Sequence, residues 1–241
     1  MPLASVVTAP AKLTLSLRIT GVRADGLHLI DAEMVALDLF DTLEIQPDAD
    51  GLQVIDMDGR SLDVGPAGDN LVTRALATVG RRAAVTVRKR VPAGAGLGGG
   101  SSDAAAVLRW AGYRDLAGAA RLGADVPFCL LGGRARVSGT GEVVEPLAFE
   151  QRSFTLLTPP VACSTGAVYA AWDELGGPRG DHGNDLEPAA LVVQPSLARW
   201  RDELGESTGT RPRLAGSGST WFVEGSHPGQ RRVVAATIPA H

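Results

Sequence analysis

The residues with the most chemical promise lie between Pro92 and Leu108, which read PAGAGLGGGSSDAAAVL. Glycines at 94, 96, 98, 99 and 100 are followed by two hydroxyls, Ser101 and Ser102, then by Asp103 and an alanine run. A valine-rich stretch, VTVRKRV, comes just before. Strand, glycine loop and helix start together make an anion site. The first N–H groups of a helix have no intrahelical partner, and the helix dipole favours negative charge there. Glycines let the backbone approach phosphate oxygens and adopt positive φ. The two serines add hydroxyl donors. The plainer alternative is a glycine-rich turn with a serine N-cap, but capping needs one such residue, not a run of glycines.

Three phosphate loops compete for this stretch. A G-x-x-x-x-G-K-[ST] loop needs a lysine before the hydroxyl, and none is present. Gly94-Ala-Gly96-Leu-Gly98-Gly99 matches G-x-G-x-x-G, but the dinucleotide reading also needs an acid at the end of the next strand. The nearest candidate, Asp125, sits before Val-Pro in GADVPF and follows no obvious strand. A protein-kinase loop would join two strands, whereas a helix follows here. The third kind of loop fits best, and its family is named below.

The elements that must position this loop read as mixed α and β. VVTAP and LTLSLRI look like strands, with Leu13, Leu15, Leu17 and Ile19 alternating against Thr14, Ser16 and Arg18. TGVRADGLH is turn-like, Glu33 to Phe40 and DTLEI continue as strands, and PDADGLQV carries hairpin chemistry. NLVTRALATVG, from Asn70 to Gly80, predicts a helix ending at glycine. GYRDLAGAARLGADVPFCLLGG predicts one short helix and an apolar segment, and Arg134 to Pro146 predicts strands joined by SGTGE. FTLLTPP opens a second run: strand, helix (AVYAAWDEL), a polar Gly/Pro loop, helix (PSLARWRDEL), then strands at RLAGSG, TWFVE and RVVAATI. A lobe boundary is expected near residue 150. Strands and helices in mixed order imply α+β rather than a doubly wound sheet.

Composition excludes several functions. The chain has 241 residues, 44% of them hydrophobic, enough for one large domain or two lobes. Its formal net charge is −4 and it has no long basic run, so nucleic acid is not an expected partner. No apolar run approaches the ~20 residues of a membrane span. MPLASVVTAPAK lacks a basic region followed by an apolar stretch, so no signal peptide is expected. Two cysteines, Cys129 and Cys163, in apolar surroundings fit a reduced, cytoplasmic setting.

PAGAGLGGGSSDAA resembles the P-x-x-x-G-L-G-(G)-S-S-x-A-A signature of the GHMP small-molecule kinases. APAKLTLSL resembles that superfamily's N-terminal A-K-x-N-L motif, and LAGSGSTWF its third, glycine-rich motif. RADGLHLI, GDNL, GADVPFCLLGG, STGAVY and NDLEPAAL are similar to the branch whose substrate is a cytidine-diphospho-linked methylerythritol. The motifs run in the family's order from about residue 8 to residue 224.

The resemblance implies a two-lobed α+β fold. Residues 1–150 would form an ATP-binding lobe like ribosomal protein S5 domain 2, and residues 151–241 a ferredoxin-like lobe. It implies transfer of the γ-phosphoryl of ATP to a hydroxyl of that cytidyl alcohol, a step towards isoprenoid precursors. Asp125 matches the family's base and Lys12 its partner. Pro92, Gly94, Gly96, Leu97, Gly98, Gly99, Gly100, Ser101 and Ser102 would hold ATP phosphates, with Asn70 and Lys89 on the adenosine side. Thr14, Leu27, His28, Thr165, Tyr169, Gly216, Ser217 and Gly218 would face the substrate, His28 and Tyr169 at its cytosine. Taken singly, Lys12 reads as an exposed strand lysine, Asp125 as a turn residue, His28 as a loop histidine and Tyr169 as a core tyrosine.

Four features depart from the family pattern. Thr14 stands for asparagine, and Leu27 for the aromatic of D-G-[YF]-H; the 106–123 segment and the C-terminus are short. Kinases of another small alcohol, and a nucleotide-binding relative without catalysis, therefore stay as alternatives. Mg2+ is expected with ATP, but no carboxylate cluster announces its ligands. Monomer and homodimer both stay open.

Overall fold

The computed structural model describes residues 3–63 and 65–241. The first sheet rests on two long antiparallel strands, β1 (Ser5–Val22) and β2 (His28–Pro47), joined by the tight RADGL turn. β1 covers one edge of β2 for nearly its whole length. The other edge is divided. β5 (Arg134–Gly139) pairs with Ile30–Val35, and β4 (Ala83–Arg88) pairs with Thr42–Pro47. β6 (Val143–Pro146) extends the β5 side through the SGTGE turn.

The hairpin expected at PDADGLQV does not form. β3 (Gly51–Ile55) lies beyond β4 and pairs with it in parallel, not with β2. A parallel pair needs a crossover. Helix α1 (Leu71–Thr78) supplies it, capped by Asn70, whose side-chain oxygen accepts from Val72 N at 2.9 Å. The valine-rich β4, with Ala83, Val85 and Val87 buried, takes the inner position instead.

β1 also departs from simple alternation. Its register shifts between Pro10 and Lys12, between Thr14 and Ser16, and between Ile19 and Gly21. A bulge adds a residue and reverses which face the next side chains take. Leu13 and Leu15 therefore pack towards Phe154, Leu156 and Phe222 of the second sheet, while Leu17 and Ile19 join the core under the helices. The shift also leaves Lys12, Thr14 and Leu17 lining a common cavity.

α2 (Gly99–Trp110), α3 (Leu116–Ala120) and α4 (Val126–Leu131) cover the first sheet. The single short helix expected between 112 and 133 is thus two. α2 buries Ala104 to Leu108 without a break; its small side chains let it lie close on β1 and β2.

The second sheet, in the order β10-β7-β9-β8, holds β7 (Ser153–Leu157), β8 (Arg213–Leu214), β9 (Trp221–Glu224) and β10 (Arg232–Ala236). All its pairs are antiparallel. Numbered within the lobe this is 4-1-3-2, the ferredoxin-like arrangement, with a loop at 225–231 in place of the second crossover helix. α5 (Thr165–Glu174), α6 (Glu187–Val193) and α7 (Leu197–Thr208) lie between β7 and β8. The sequence reading missed α6, whose proline in the first turn is a helix-start signal. Residues 147–152 link the two sheets, and the final residues return to the first one: Ile238 N donates to Ala36 O at 3.0 Å.

Candidate active site

A cavity of about 690 Å³ opens where the glycine loop, β1, α4, α5 and the 215–218 loop meet. The glycine loop is docked rather than free. Lys12 N donates to Leu97 O at 3.0 Å, Ser102 Oγ to Pro10 O at 2.6 Å, and Thr220 N to Ala95 O at 3.1 Å. Gly98 caps α2 in the left-handed region at φ +67°, with no side-chain cap. The unpartnered N–H groups of the first helical turn are thus left beside the cavity, where an anion can take them. Gly96 is needed for close approach: a β-carbon there would lie 2.3 Å from Ala215 O and 2.8 Å from Gly218 O.

Lys12 and Asp125 come together. Lys12 Nζ lies 3.1 Å from Asp125 Oδ2 and donates to Thr14 Oγ1 at 3.1 Å. Lys12 is 5% exposed, so the chain holds its charge inside the protein beside a carboxylate. Asp125 sits at the N-cap of α4, yet its side chain makes no capping bond, which leaves the carboxylate for Lys12 and the cavity. Beneath the pair, burial above all pushes the Cys129 thiol up to about 12, and the Asp125 charge adds to this. A thiol so raised is no nucleophile.

At one end of the cavity, Lys89 Nζ bridges two carboxylates, Asp41 and Asp103, the latter at 2.7 Å. Asp41 is fully buried and also accepts from the backbone N–H groups of Arg90 (2.5 Å) and Val91 (2.8 Å). Asp103 Oδ1 has no hydrogen-bond partner among the described residues. Burial pushes the Asp103 carboxyl up to about 7, against the pull of the Lys89 ammonium.

At the other end, α5 offers Tyr169, Trp172 and Asp173 on one face to His28. The rings of His28 and Tyr169 are 4.7 Å apart, Trp172 meets His28 edge-on at 5.5 Å, and Asp173 Oδ1 lies 2.8 Å from His28 Nε2. Burial, then the Asp125 charge, pushes the Tyr169 hydroxyl up to about 12. Thr165 and Ser217 share a hydrogen bond of 3.0 Å across the cavity mouth.

Of the residues singled out from sequence, Lys12, Thr14, His28, Asn70, Lys89, Pro92, Gly94, Gly96, Gly98, Gly99, Gly100, Ser101, Asp125, Thr165, Tyr169, Gly216 and Ser217 line this one cavity. Four do not. Leu97 is buried in the inter-sheet core as an anchor, and Ser102 spends its hydroxyl on Pro10. Gly218 lies behind the loop against Leu214 and Cys163. Leu27 is 50% exposed on the hairpin turn. Sequence reading passed over Asp41, Asp103 and Asp173 as partners. Asp103 was visible in the loop, but nothing local links Asp41 to Lys89 or Asp173 to His28.

This fold and this site define a small-molecule kinase of the GHMP type. A family model described as the GHMP kinases N terminal domain matches residues 70–133. The 4-diphosphocytidyl-2-C-methyl-D-erythritol kinase of Paracoccus denitrificans is 37% identical over 92% of this chain and 87% of its own. The enzyme of that name from Nitrobacter hamburgensis is 35% identical over 96% of this chain and 90% of its own. A crystal structure of 4-(cytidine 5'-diphospho)-2C-methyl-D-erythritol kinase superposes with a TM-score of 0.76 at 30% identity, covering 96% of this chain and 98% of that one. The chain belongs to the 4-diphosphocytidyl-2-C-methyl-D-erythritol kinase family. Among the described residues, no helix is long and apolar enough to cross a membrane.

Proposed function

We propose that the protein transfers the γ-phosphoryl group of ATP to the 2-hydroxyl of 4-diphosphocytidyl-2-C-methyl-D-erythritol, in the non-mevalonate supply of isoprenoid precursors. The observation that carries this reading, in a chain of this family, is the Lys12–Asp125 pair set in one cavity with the glycine loop. Phosphoryl transfer asks a protein chiefly for positioning and charge stabilisation. In this reading the loop from Pro92 to Ser101 holds the phosphates, and Asn70 and Lys89 flank the adenosine. Asp125 takes the proton of the substrate hydroxyl as its oxygen bonds to the γ-phosphorus and ADP departs. Lys12 sets positive charge beside that oxygen. Thr14, Thr165, Gly216 and Ser217 border the alcohol, and His28 and Tyr169 hold the cytosine.

The residues present fit a Mg2+ ion brought by the nucleotide. No group of three or more His, Cys, Asp or Glu side chains forms a closed metal site among the described residues. The cavity does present the Ser101 hydroxyl and the Asp125 carboxylate, and Mg2+ with ATP needs only one or two protein donors. When bound, the ion would neutralise phosphate charge. Residues 1–150 serve as the ATP lobe and 151–241 as the second lobe in this proposal. Two buried free thiols, Cys129 and Cys163, suit a reducing cytoplasm.

The test is incubation with ATP, Mg2+ and the cytidyl alcohol, followed by phosphorus NMR. A new phosphomonoester signal on the cytidyl product is expected. Transfer only to a simpler alcohol would replace the substrate, and ATP binding without any transfer would replace catalysis.

A further inference from the structure

The NDLEP stretch takes no direct part in the chemistry proposed above, yet it ties two walls of the cavity together. Residues 180–185 are fastened to β1. Leu17 N donates to Gly183 O at 2.7 Å, and Asp185 N donates to Leu17 O at 2.9 Å. The buried Asp185 carboxylate accepts from Arg18 Nη1 (2.5 Å), Ile19 N (3.0 Å) and Gly180 N (3.1 Å). β1 is the strand that carries Lys12 and Thr14.

From this fastened segment Asn184, 3% exposed, reaches the other wall. Its Nδ2 donates to Leu214 O at 2.9 Å and to Gly216 O at 2.7 Å, while its Oδ1 accepts from Leu186 N at 3.0 Å. Both amide hydrogens and the oxygen are used. The two carbonyls belong to the end of β8 and to the loop that follows it and meets Lys12: a β-carbon on Gly216 would lie 3.5 Å from Lys12 Nζ and 3.8 Å from Thr14 Oγ1. The same loop abuts the phosphate loop at Gly96.

We infer that Asn184 is a positioning residue for phosphoryl transfer, holding the 214–218 loop at a set distance from Lys12 and the glycine loop. The inference rests on the kinase reading above for its effect on rate, but not for its effect on the loop. Two carbonyls converging on one side-chain amide need a donor; a carboxylate in its place would repel both. Asn184→Asp makes that change at constant size and keeps the acceptor for Leu186 N.

The test combines kinetics with hydrogen exchange on the full chain. In Asn184→Asp, kcat falls by about tenfold to 10²-fold, the scale of a small misplacement near reacting groups, while ATP affinity by calorimetry stays within about twofold. Amide exchange over 213–220 speeds up, and exchange in α1 does not. Unchanged kcat per folded molecule, or unchanged exchange over 213–220, overturns the proposal. The wild type supplies a reading that needs no variant. Ala215 N, Gly218 N and Thr220 N are bonded to Thr220 O, Ala215 O and Ala95 O, so the expected result is exchange as slow as that of β9. Fast exchange there overturns the inference, including where Asn184→Asp does not fold. A wild type that ignores the cytidyl alcohol removes the substrate reading while the exchange result still decides the loop.

Discussion

The Lys12 side chain crosses the left-handed turn at Gly98 so closely that a β-carbon on residue 98 would lie 2.6 Å from Lys12 Cγ and 3.1 Å from its Cε. The glycine loop and the charged partner of Asp125 are therefore one piece of packing. At Gly98 the absent side chain makes room for Lys12.

Gly98→Ala should therefore damage chemistry more than nucleotide binding. The substitution carries the strain of a left-handed residue, about 1–2 kcal/mol, and displaces Lys12 from Asp125. Kinetics beside ATP titration check this: kcat is expected to fall about tenfold or more, with ATP affinity less affected. Unchanged kcat in the folded variant would mean that the lysine accommodates the methyl without moving.

Asp125→Asn should lower the transfer rate by roughly 10²-fold or more, the scale for losing a positioned base, and leave ATP affinity nearly intact. Single-turnover transfer in the variant is the measurement. A rate equal to wild type would make Asp125 a structural partner of Lys12 only.

The pair Asp41–Lys89 with Asp103 sets a stability expectation. Lys89→Met leaves two carboxylates buried without their cation, at a cost of about 3–5 kcal/mol in urea unfolding. A loss below about 1 kcal/mol, the scale of an exposed pair, would show that solvent reaches this end of the cavity.

Asp103 should also print itself on the pH dependence of stability. Its folded carboxyl is raised to about 7 by burial. From about pH 4, where the unfolded carboxyl ionises, up to about 7, the unfolded chain has lost the proton that the folded chain keeps. Its contribution to stability therefore declines as pH rises through that window and is level above it. Asp103→Asn should flatten this part of the profile, measured by urea unfolding at stepped pH. The same slope in both proteins would assign the titration to another group.

If His28 and Tyr169 hold the cytosine as proposed, His28→Ala and Tyr169→Ala should each raise the apparent substrate constant several-fold or more, because they remove a reading group and a stacking face. Leu27→Ala should change it by less than about twofold, since an exposed turn residue away from the cavity loses little. Steady-state kinetics at saturating ATP give all three. A large effect at Leu27 alone would mean that the turn folds over the bound base.

Much of the site was legible because it is local. A glycine run before an alanine helix marks a candidate anion site through the geometry of one helix start, and Asn70 caps α1 through a bond to Val72, two residues away. The α+β order and the strands around SGTGE follow from short-range patterns for the same reason. The partnership of Lys12 with Asp125 was legible only through matched motifs, since 112 intervening residues carry no spacing rule.

Long-range pairing decided the rest. Whether β3 pairs with β2 or β4 depends on which strand wins the inner edge, and turn chemistry at 47–51 is compatible with both. The bulges in β1 arise from its register against β2, so the alternation of Leu13, Leu15, Leu17 and Ile19 could not reveal that they divide between two cores. Leu27 stands outside the cavity because the hairpin turn lifts it there. Asp41, Asp173 and Asn184 acquire their partners 48, 145 and 30 or more residues away. The sequence by itself determined the glycine loop, the helix starts and the kinds of groups available for phosphoryl transfer. Which of those groups meet, at what distance and at what depth was decided by tertiary structure, because burial and charge pairing exist only once the two sheets have closed on each other.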